Sequence, residues 1–325
     1  MIWRLAALLV VLLLAVAGGE LVWRAFTRNI ASPQVAVSLP AHVLPPQRVV
    51  PAPARAATAL MQPASASPSP DRACLPAPAF AEAAGRNAAA LDTASVSAFG
   101  RSETGWEIYA PLAAQELNTP CAPADPGFAK ALAQWQGQHG LPPDGIMTEP
   151  TLKALNVLWL RRRPFVAATA KGACPPPPEP SRLTFATPAE GYLTKPIQLR
   201  ATALAAYRQM AAAARRDLPS LAADKRLMTI FSGYRDPVEE AARCANDGGC
   251  GTISKARCSA HRTGLALDLY LGAAPGFAPE SSADPNRLYQ SRTDLYRWLV
   301  ANASRFGFTP YPFEPWHWEW TGEAL

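Results

Sequence analysis

The chain has 325 residues and a formal net charge of +6 at pH 7. This length is enough for two modest domains together with segments that belong to neither. No run of Lys and Arg is long enough to form a nucleic-acid-binding patch, so we expect no nucleic-acid partner.

Residues 1–24 have the pattern of an export signal. Arg4 precedes an unbroken apolar run from Leu5 to Gly19, and a short apolar patch follows Glu20. A positive start before an apolar core is typical of such signals. We predict an uncleaved anchor in the inner membrane, with the rest of the chain facing the periplasm. The alternative is a signal peptide that is cleaved near Ala17 and releases a secreted protein.

The cysteines fit an exported protein. The chain has six, at positions 74, 121, 174, 244, 250 and 258, and no C-x-x-C pair, which favours disulfides over a zinc–cysteine cluster. The sequence leaves their pairing open. Because Cys244, Cys250 and Cys258 bracket a Gly-rich loop, we expect one bridge to close that loop.

Two Pro-rich segments divide the rest of the chain. Residues 25–82 are rich in Pro, Ala and Ser, which predicts an extended tether. Residues 166–181 contain four consecutive prolines, which predict a stiff polyproline linker. A small module at 83–165 lies between these segments, and a larger module at 182–325 is long enough for its own core.

The small module has the pattern of helices joined by a turn. Phe128, Leu132 and Trp135 fall on one helix face, and Thr148 is placed to cap a later helix. The stretch FAKALAQWQGQHGLPPDGIMTEPTLKALN, which begins at Phe128, resembles the peptidoglycan-binding type 1 repeat. That resemblance implies a three-helix module with peptidoglycan as its partner.

The larger module mixes helices and strands without regular alternation, which predicts an α+β fold. The expected elements are a helix over Pro196–Asp217, a strand within RLMTIFSGYR, a helix over Pro237–Ala245, a strand over Leu265–Leu271 and a helix near Ser291–Arg305.

The predicted strand Leu265–Leu271 places four leucines on one face and Asp268 on the other. A carboxylate in the middle of a strand is costly to bury unless a metal ion or an ion pair compensates it. His261 lies just upstream, across Gly264, and His317 is the only other histidine of the larger module. Two His and one Asp with an open fourth position are a ligand set of catalytic zinc sites.

The second histidine lies in EPWHWEW, at 314–320, between two carboxylates. In a regular strand His317 and Glu319 share a face, so spacing alone makes Glu319 a rival to Glu314 as a general base. The three tryptophans of this stretch then share the opposite face, and we expect them to belong to the core.

Three blocks of the larger module resemble the VanY-like D-alanyl-D-alanine carboxypeptidases, which are zinc peptidases. SAHRTGLALD matches the S-x-H-x-x-G-x-A-x-D signature, EPWH matches E-x-x-H, and FSGYRD matches a third block. The resemblance implies an α+β zinc peptidase domain, with a small antiparallel sheet flanked by helices, that removes the terminal D-Ala from peptidoglycan stem peptides. Endopeptidase cleavage by the same site is one alternative, and a catalytically inactive cell-wall-binding protein is another.

Carried over residue by residue, the resemblance makes His261, Asp268 and His317 the ligands of a Zn2+ cofactor. It makes Glu314 the general base that takes a proton from the attacking water.

Two further roles and one departure follow from the comparison with the same family. It implies that Arg235 polarises the scissile carbonyl and stabilises the oxyanion, and that Ser259 helps to hold the substrate. This chain has Glu239-Glu240 where the family commonly has Gln, and we expect both carboxylates on an exposed helix face.

Overall fold

The computed structural model describes residues 74, 77–97, 99–246 and 258–325, and the described residues belong to one compact unit. Within these ranges, no helix has both the length and the apolar character needed to cross a membrane. The predicted anchor at 1–24 and most of the predicted tether at 25–82 lie outside the described residues.

The described part of the small module contains five α-helices and a two-stranded ribbon, rather than three helices. They are α1 (Ala81–Ala90), β1 (Ser95–Val96), β2 (Glu103–Thr104), α2 (Ala110–Glu116), α3 (Pro126–Gln138), α4 (Glu149–Arg161) and α5 (Pro164–Thr169). Helices α1, α2 and α5 have ten residues or fewer, too short for a clear apolar periodicity in the sequence. Helix α1 and the buried Cys74 extend the folded structure before residue 83, and α5 extends it beyond residue 165.

The helices that the sequence predicted are formed as expected. Helix α3 buries Phe128, Leu132 and Trp135, and Thr148 caps α4 by accepting a hydrogen bond from the Thr151 backbone N–H. The buried Gln136 side chain fixes the turn between α3 and α4, because it bonds to backbone groups of the turn as both donor and acceptor. The two predicted helices and the turn between them are therefore confirmed.

The larger module begins with a ribbon and continues with helices around one sheet. Its elements are β3 (Leu183–Phe185), β4 (Gln198–Arg200), α6 (Ala201–Asp217), α7 (Ser220–Ala223), β5 (Ile230–Ser232), α8 (Pro237–Asn246), β6 (Ala266–Leu269), α9 (Asp284–Ser291), α10 (Asp294–Asn302), β7 (Phe308–Tyr311) and β8 (Glu314–Trp320). The helix predicted over Pro196–Asp217 starts only at Ala201, because residues 198–200 pair with β3. Mixed helices and small antiparallel sheets confirm the α+β class.

The main sheet has the strand order β5-β6-β8-β7, and every neighbouring pair is antiparallel. Its register places Asp268 opposite His317 on one side and opposite Ser232 on the other. The four leucines predicted to face the core, at positions 265, 267, 269 and 271, are all buried. The alternation of β6 therefore turns Asp268 toward the opposite face of the sheet.

The three tryptophans of β8 do not all share one environment. Trp318 belongs to the main core and Trp320 packs against it, whereas Trp316 packs with Phe231 and Tyr270 in a separate cluster. The register between β7 and β8 shifts after Pro310, so the regular alternation of β8 is interrupted before Trp318. The expectation of a single tryptophan face is wrong for this reason.

One hydrophobic core runs through both modules. It joins Phe128 and Trp159 of the small module with Leu267 and Trp318 of the sheet. Helix α4 contacts β7, and α5 contacts β8. The two modules therefore pack as one body.

Disulfides fasten both ends of the small module. Cys74 pairs with Cys121, and Cys174 of the Pro-rich linker pairs with Cys258. The structure thus confirms disulfide pairing, and it joins Cys258 to the linker, so a bridge that closes the Gly-rich loop does not use Cys258. Cys244 is also disulfide-bonded. Residues 247–257, which hold most of the Gly-rich loop and Cys250, lie outside the described residues.

Candidate functional site

His261 is held by a short turn that leads into β6. The Ser259 Oγ caps this turn by accepting a hydrogen bond from the His261 backbone N–H, at 3.3 Å. Gly264 ends the turn with φ of 69°, a left-handed conformation that favours glycine, and the chain then enters β6. This turn places the His261 imidazole on the same side of the sheet as Asp268.

Strand β5 fixes the orientation of the His261 ring. The ring Nδ1 lies 2.7 Å from the Gly233 carbonyl oxygen, so Nδ1–H donates to that carbonyl and Nε2 is left as the acceptor. Glycine is needed at position 233, because a Cβ there would lie 2.5 Å from the Gln198 carbonyl oxygen of β4. Gly233 of the FSGYRD block therefore lets β4 lie close to the segment that follows β5, behind His261.

Asp268 lies between the two histidines. Its Oδ2 is 3.1 Å from His261 Nε2, and its Oδ1 is 2.9 Å from His317 Nδ1. All three side chains are buried, and one ligand atom from each lies within 4.8 Å of the others. The structure thus brings together the three residues that the sequence proposed as metal ligands.

The charges of this cluster depend on one another. Burial opposes ionisation of Asp268, but the two histidines outweigh it and hold the pKa of Asp268 well below its usual range. Burial lowers the pKa of His261. Burial also opposes protonation of His317, but hydrogen bonding to Asp268 and the nearby Glu319 raise the pKa of His317 to about 9. The pKa of His317 is therefore raised and that of His261 lowered, although both rings face the same carboxylate.

The donor atoms suit a zinc ion. Two imidazole nitrogens and one carboxylate are ligands that zinc prefers, and a tetrahedral site with bonds of about 2.0–2.1 Å separates its ligand atoms by about 3.3 Å. The three donor atoms lie within 4.8 Å of one another, so they are near enough to share one ion. The Gly233 carbonyl behind His261 is the kind of partner that fixes the tautomer of a ligating histidine.

Glu314 lies at the start of β8, opposite Tyr311 of β7. Its side chain is half-buried, and burial raises the pKa of its carboxyl group. His317, Asp268 and Arg235 act on it electrostatically. The residue therefore faces the cluster without being part of the triad of close donor atoms.

Arg235 and Ser259 lie at the other edge of the cluster and contact each other. The Arg235 guanidinium donates hydrogen bonds to the Oγ atoms of Ser259 and Ser232, at 3.3 and 3.2 Å. Burial lowers the pKa of Arg235, and Asp268 and Glu314 are among the charges that act on it. The structure therefore places a cation next to the carboxylates, with Ser259 orienting it.

Glu240 is not on an exposed face, so that expectation is wrong. Glu239 is exposed, but Glu240 is buried, accepts a hydrogen bond from the Ser259 backbone N–H, and lies 3.3 Å from Arg262. Both oxygens of the carboxylate are thereby engaged in holding the segment that carries Ser259. Glu240 is therefore part of the support of the site.

The sequence did not predict the contacts that Glu319 and Arg163 make near the cluster. Glu319, the rival base, is buried and ion-paired with Arg163 of the small module, at 2.6 Å. The Arg163 guanidinium lies 3.8 Å from the centre of the Tyr311 ring, which is nearly perpendicular to the His317 ring. Nothing in the RRRP stretch that contains Arg163 pointed to a contact 156 residues away.

Comparison with known families identifies one part of the chain. Residues 122–155 match the family described as a putative peptidoglycan binding domain. This match supports a peptidoglycan-binding module at the position where the sequence predicted one, and it associates the protein with the cell wall and the cell envelope. A search of curated proteins found none that matches this chain.

Proposed function

We propose that the protein is a zinc-dependent D,D-carboxypeptidase that removes the terminal D-Ala from peptidoglycan stem peptides. The observation that carries the proposal is the convergence of His261, Asp268 and His317, with Glu314 and Arg235 beside them. The resemblance of three sequence blocks to the VanY-like carboxypeptidases supports the same roles. The peptidoglycan-binding module supplies a reason for the substrate class.

In this proposal the chain supplies both proton transfer and charge stabilisation. A zinc ion bound by the two histidines and Asp268 would polarise a water molecule and lower its pKa to about 7. Glu314 accepts the proton that this water loses on attack at the peptide carbonyl carbon. The same carboxyl group then gives the proton to the leaving amine of D-Ala as the C–N bond breaks.

In this proposal Arg235 stabilises the negative charge that develops on the carbonyl oxygen. Its guanidinium is held by two serine hydroxyls and keeps donors available, because a guanidinium has five N–H groups. Ser259 acts through Arg235 and through the turn that holds His261. The raised pKa of Glu314 suits a group that must accept a proton and then return it.

Glu314 is a better candidate for the base than Glu319. Both oxygens of Glu319 are occupied, since Oε1 accepts from Arg163 and Oε2 accepts from the Phe165 backbone N–H. Arg163 also helps to hold the pKa of Glu319 down to about 2, against the effect of burial. A carboxylate with so low a pKa is a weak proton acceptor.

The test uses the chain from residue 74 to residue 325, loaded with zinc, and pentapeptide muropeptides as substrates. Mass spectrometry follows the products with and without a chelator, and with zinc added back. Chelator-sensitive loss of one alanine supports the carboxypeptidase. Cleavage into larger fragments instead makes the protein an endopeptidase that uses the same site. If the protein binds zinc and the substrates stay unchanged, the proposed activity is wrong and the protein is better described as a wall-binding protein.

A further inference from the structure

The environment of His317 points to a role for two residues that lie behind it. Its Nδ1 faces Asp268, and its Nε2 faces away from the cluster. This Nε2 is buried, has no hydrogen-bond partner within the described residues, and lies 3.5 Å from Glu319 Oε1. Ligation through Nδ1 requires that the ring proton sit on Nε2, where Glu319 is the carboxylate within reach.

Glu319 is itself fixed before any metal ion binds. Arg163 contacts Oε1 through Nε at 2.7 Å and through Nη2 at 2.6 Å, and the Phe165 backbone N–H donates to Oε2 at 3.1 Å. Both charged side chains are almost fully enclosed. Because charge-assisted contacts of this kind hold a carboxylate in one geometry, Oε1 stays beside the imidazole.

Arg163 comes from the helical module and follows the last turn of α4. Its guanidinium lies over the Tyr311 ring, and that ring makes a T-shaped contact with the His317 ring at 5.9 Å between centroids. The helical module therefore contacts the same histidine by two routes, one through Glu319 and one through Tyr311.

We propose that Arg163 and Glu319 are positioning residues for His317: Glu319 accepts a hydrogen bond from the Nε2–H of the ligating imidazole, and Arg163 holds Glu319 in place. This inference rests on the proposed zinc site. It gives the helical module a part in forming the metal centre, in addition to binding the wall. Loss of such an outer partner lowers metal affinity by about 10- to 100-fold in other proteins.

The experiment measures zinc affinity by competition with a chromophoric chelator, and it records the visible spectrum of the cobalt-substituted protein. Glu319→Ala and Arg163→Met should each weaken zinc binding by about 10- to 100-fold and alter the cobalt spectrum. Glu319→Gln keeps an acceptor oxygen and should recover most of the affinity. Glu323→Gln is the matched control, since Glu323 pairs with Arg182 and Arg200 near the same strand but not with the cluster.

The outcomes separate this inference from the proposed function. If wild type binds no zinc, or if His317→Ala binds it equally well, the proposed zinc site itself fails. If wild type binds zinc, His317→Ala does not, and Glu319→Ala and Arg163→Met match the Glu323→Gln control, then only the positioning role is wrong. Should Glu319→Ala not fold, Arg163→Met decides: wild-type zinc affinity and a wild-type cobalt spectrum in that variant would overturn the inference.

Discussion

Arg287 and Glu103 form an enclosed ion pair with 2.9 Å between Nη1 and Oε1, although 184 residues separate them in the sequence. Arg287 also donates from Nε to the carbonyl oxygen of Phe313, at 2.7 Å. Phe313 immediately precedes Glu314. Through Arg287, Glu103 of the helical module thus helps to hold the turn that precedes Glu314. Arg163 of the same module holds Glu319, which lies behind His317.

Breaking this pair from one side should be costly. Arg287→Met leaves the buried Glu103 carboxylate with only the more exposed Arg101 as an ionic partner, so we expect a loss of about 3 kcal/mol in the free energy of unfolding. The double variant Arg287→Met/Glu103→Gln removes both charges and should be less destabilised than Arg287→Met alone. Urea denaturation of the three proteins measures this. Equal losses in the single and the double variant would contradict a role for the charge pair.

Replacement of the proposed base should separate catalysis from metal binding. Glu314→Gln should retain zinc and lower kcat by about 10²- to 10⁴-fold, because it removes proton transfer but leaves the three donors in place. His317→Ala should lose both zinc and turnover. Zinc content and muropeptide hydrolysis are measured on the same preparations. Near-normal turnover in Glu314→Gln would mean that another group is the base.

The Arg163–Glu319 pair predicts a pH dependence of stability in the metal-free protein. The pKa of Glu319 falls from its ordinary 4.5 to about 2 on folding. A carboxyl group whose pKa is lower in the folded than in the unfolded state stabilises the folded state when the pH is above the unfolded-state pKa. This stabilisation is lost as the pH falls from about 5 toward 2. The loss should approach about 3 kcal/mol. Urea denaturation of wild type and Glu319→Gln should show their difference shrinking over this range, and a constant difference would contradict the assignment.

Removal of the Cys174–Cys258 disulfide should affect the cluster as well as stability. This bridge joins cysteines 84 residues apart in the sequence and attaches the linker next to Ser259. The Cys74–Cys121 bridge joins cysteines 47 residues apart and does not adjoin a residue of the cluster. Each pair of Cys→Ser changes should cost about 4–5 kcal/mol. Only the Cys174/Cys258 variant should also weaken zinc binding. Thermal unfolding and chelator competition measure the two effects, and equal zinc affinity in both variants would speak against the link.

The larger module by itself should not form a complete site. A fragment of residues 182–325 lacks Arg163 and Glu103, so Glu319 and Arg287 lose the partners that the helical module provides. We expect a lower unfolding temperature and weaker zinc binding than in a control fragment of residues 74–325. Equal unfolding temperatures and zinc affinities in the two fragments would show that the larger module folds independently.

The parts of the site that sequence patterns predicted are those set by local rules. Asp268 stood out because four leucines at a period of two define the opposite face of β6. Thr148 indicated where α4 begins, because its side chain can cap the first turn of a helix. In both cases a short stretch of chain contains the whole physical reason for the structure.

The parts that sequence patterns missed depend on contacts between distant segments. Arg163 gains its role only when α5 packs against β8, and Cys174 reaches Cys258 only in the folded chain. Residues 198–200 form β4 because β3 lies beside them, although their own sequence is compatible with the following helix. Trp316 leaves the face of Trp318 because the pairing with β7 shifts register. No pattern along the sequence encodes these pairings.

The shared core of the two modules has a consequence for how the wall is approached. A binding module on a flexible linker would let the cluster sample many stem peptides around one attachment point, whereas a rigid arrangement allows only geometries that fit both sites at once. Here Trp159 and Trp318 belong to the same core, so the module at 122–155 and the cluster keep a constant offset. Under the proposed function, the helical module would restrict cleavage to stem peptides that lie at one distance and orientation from the bound wall.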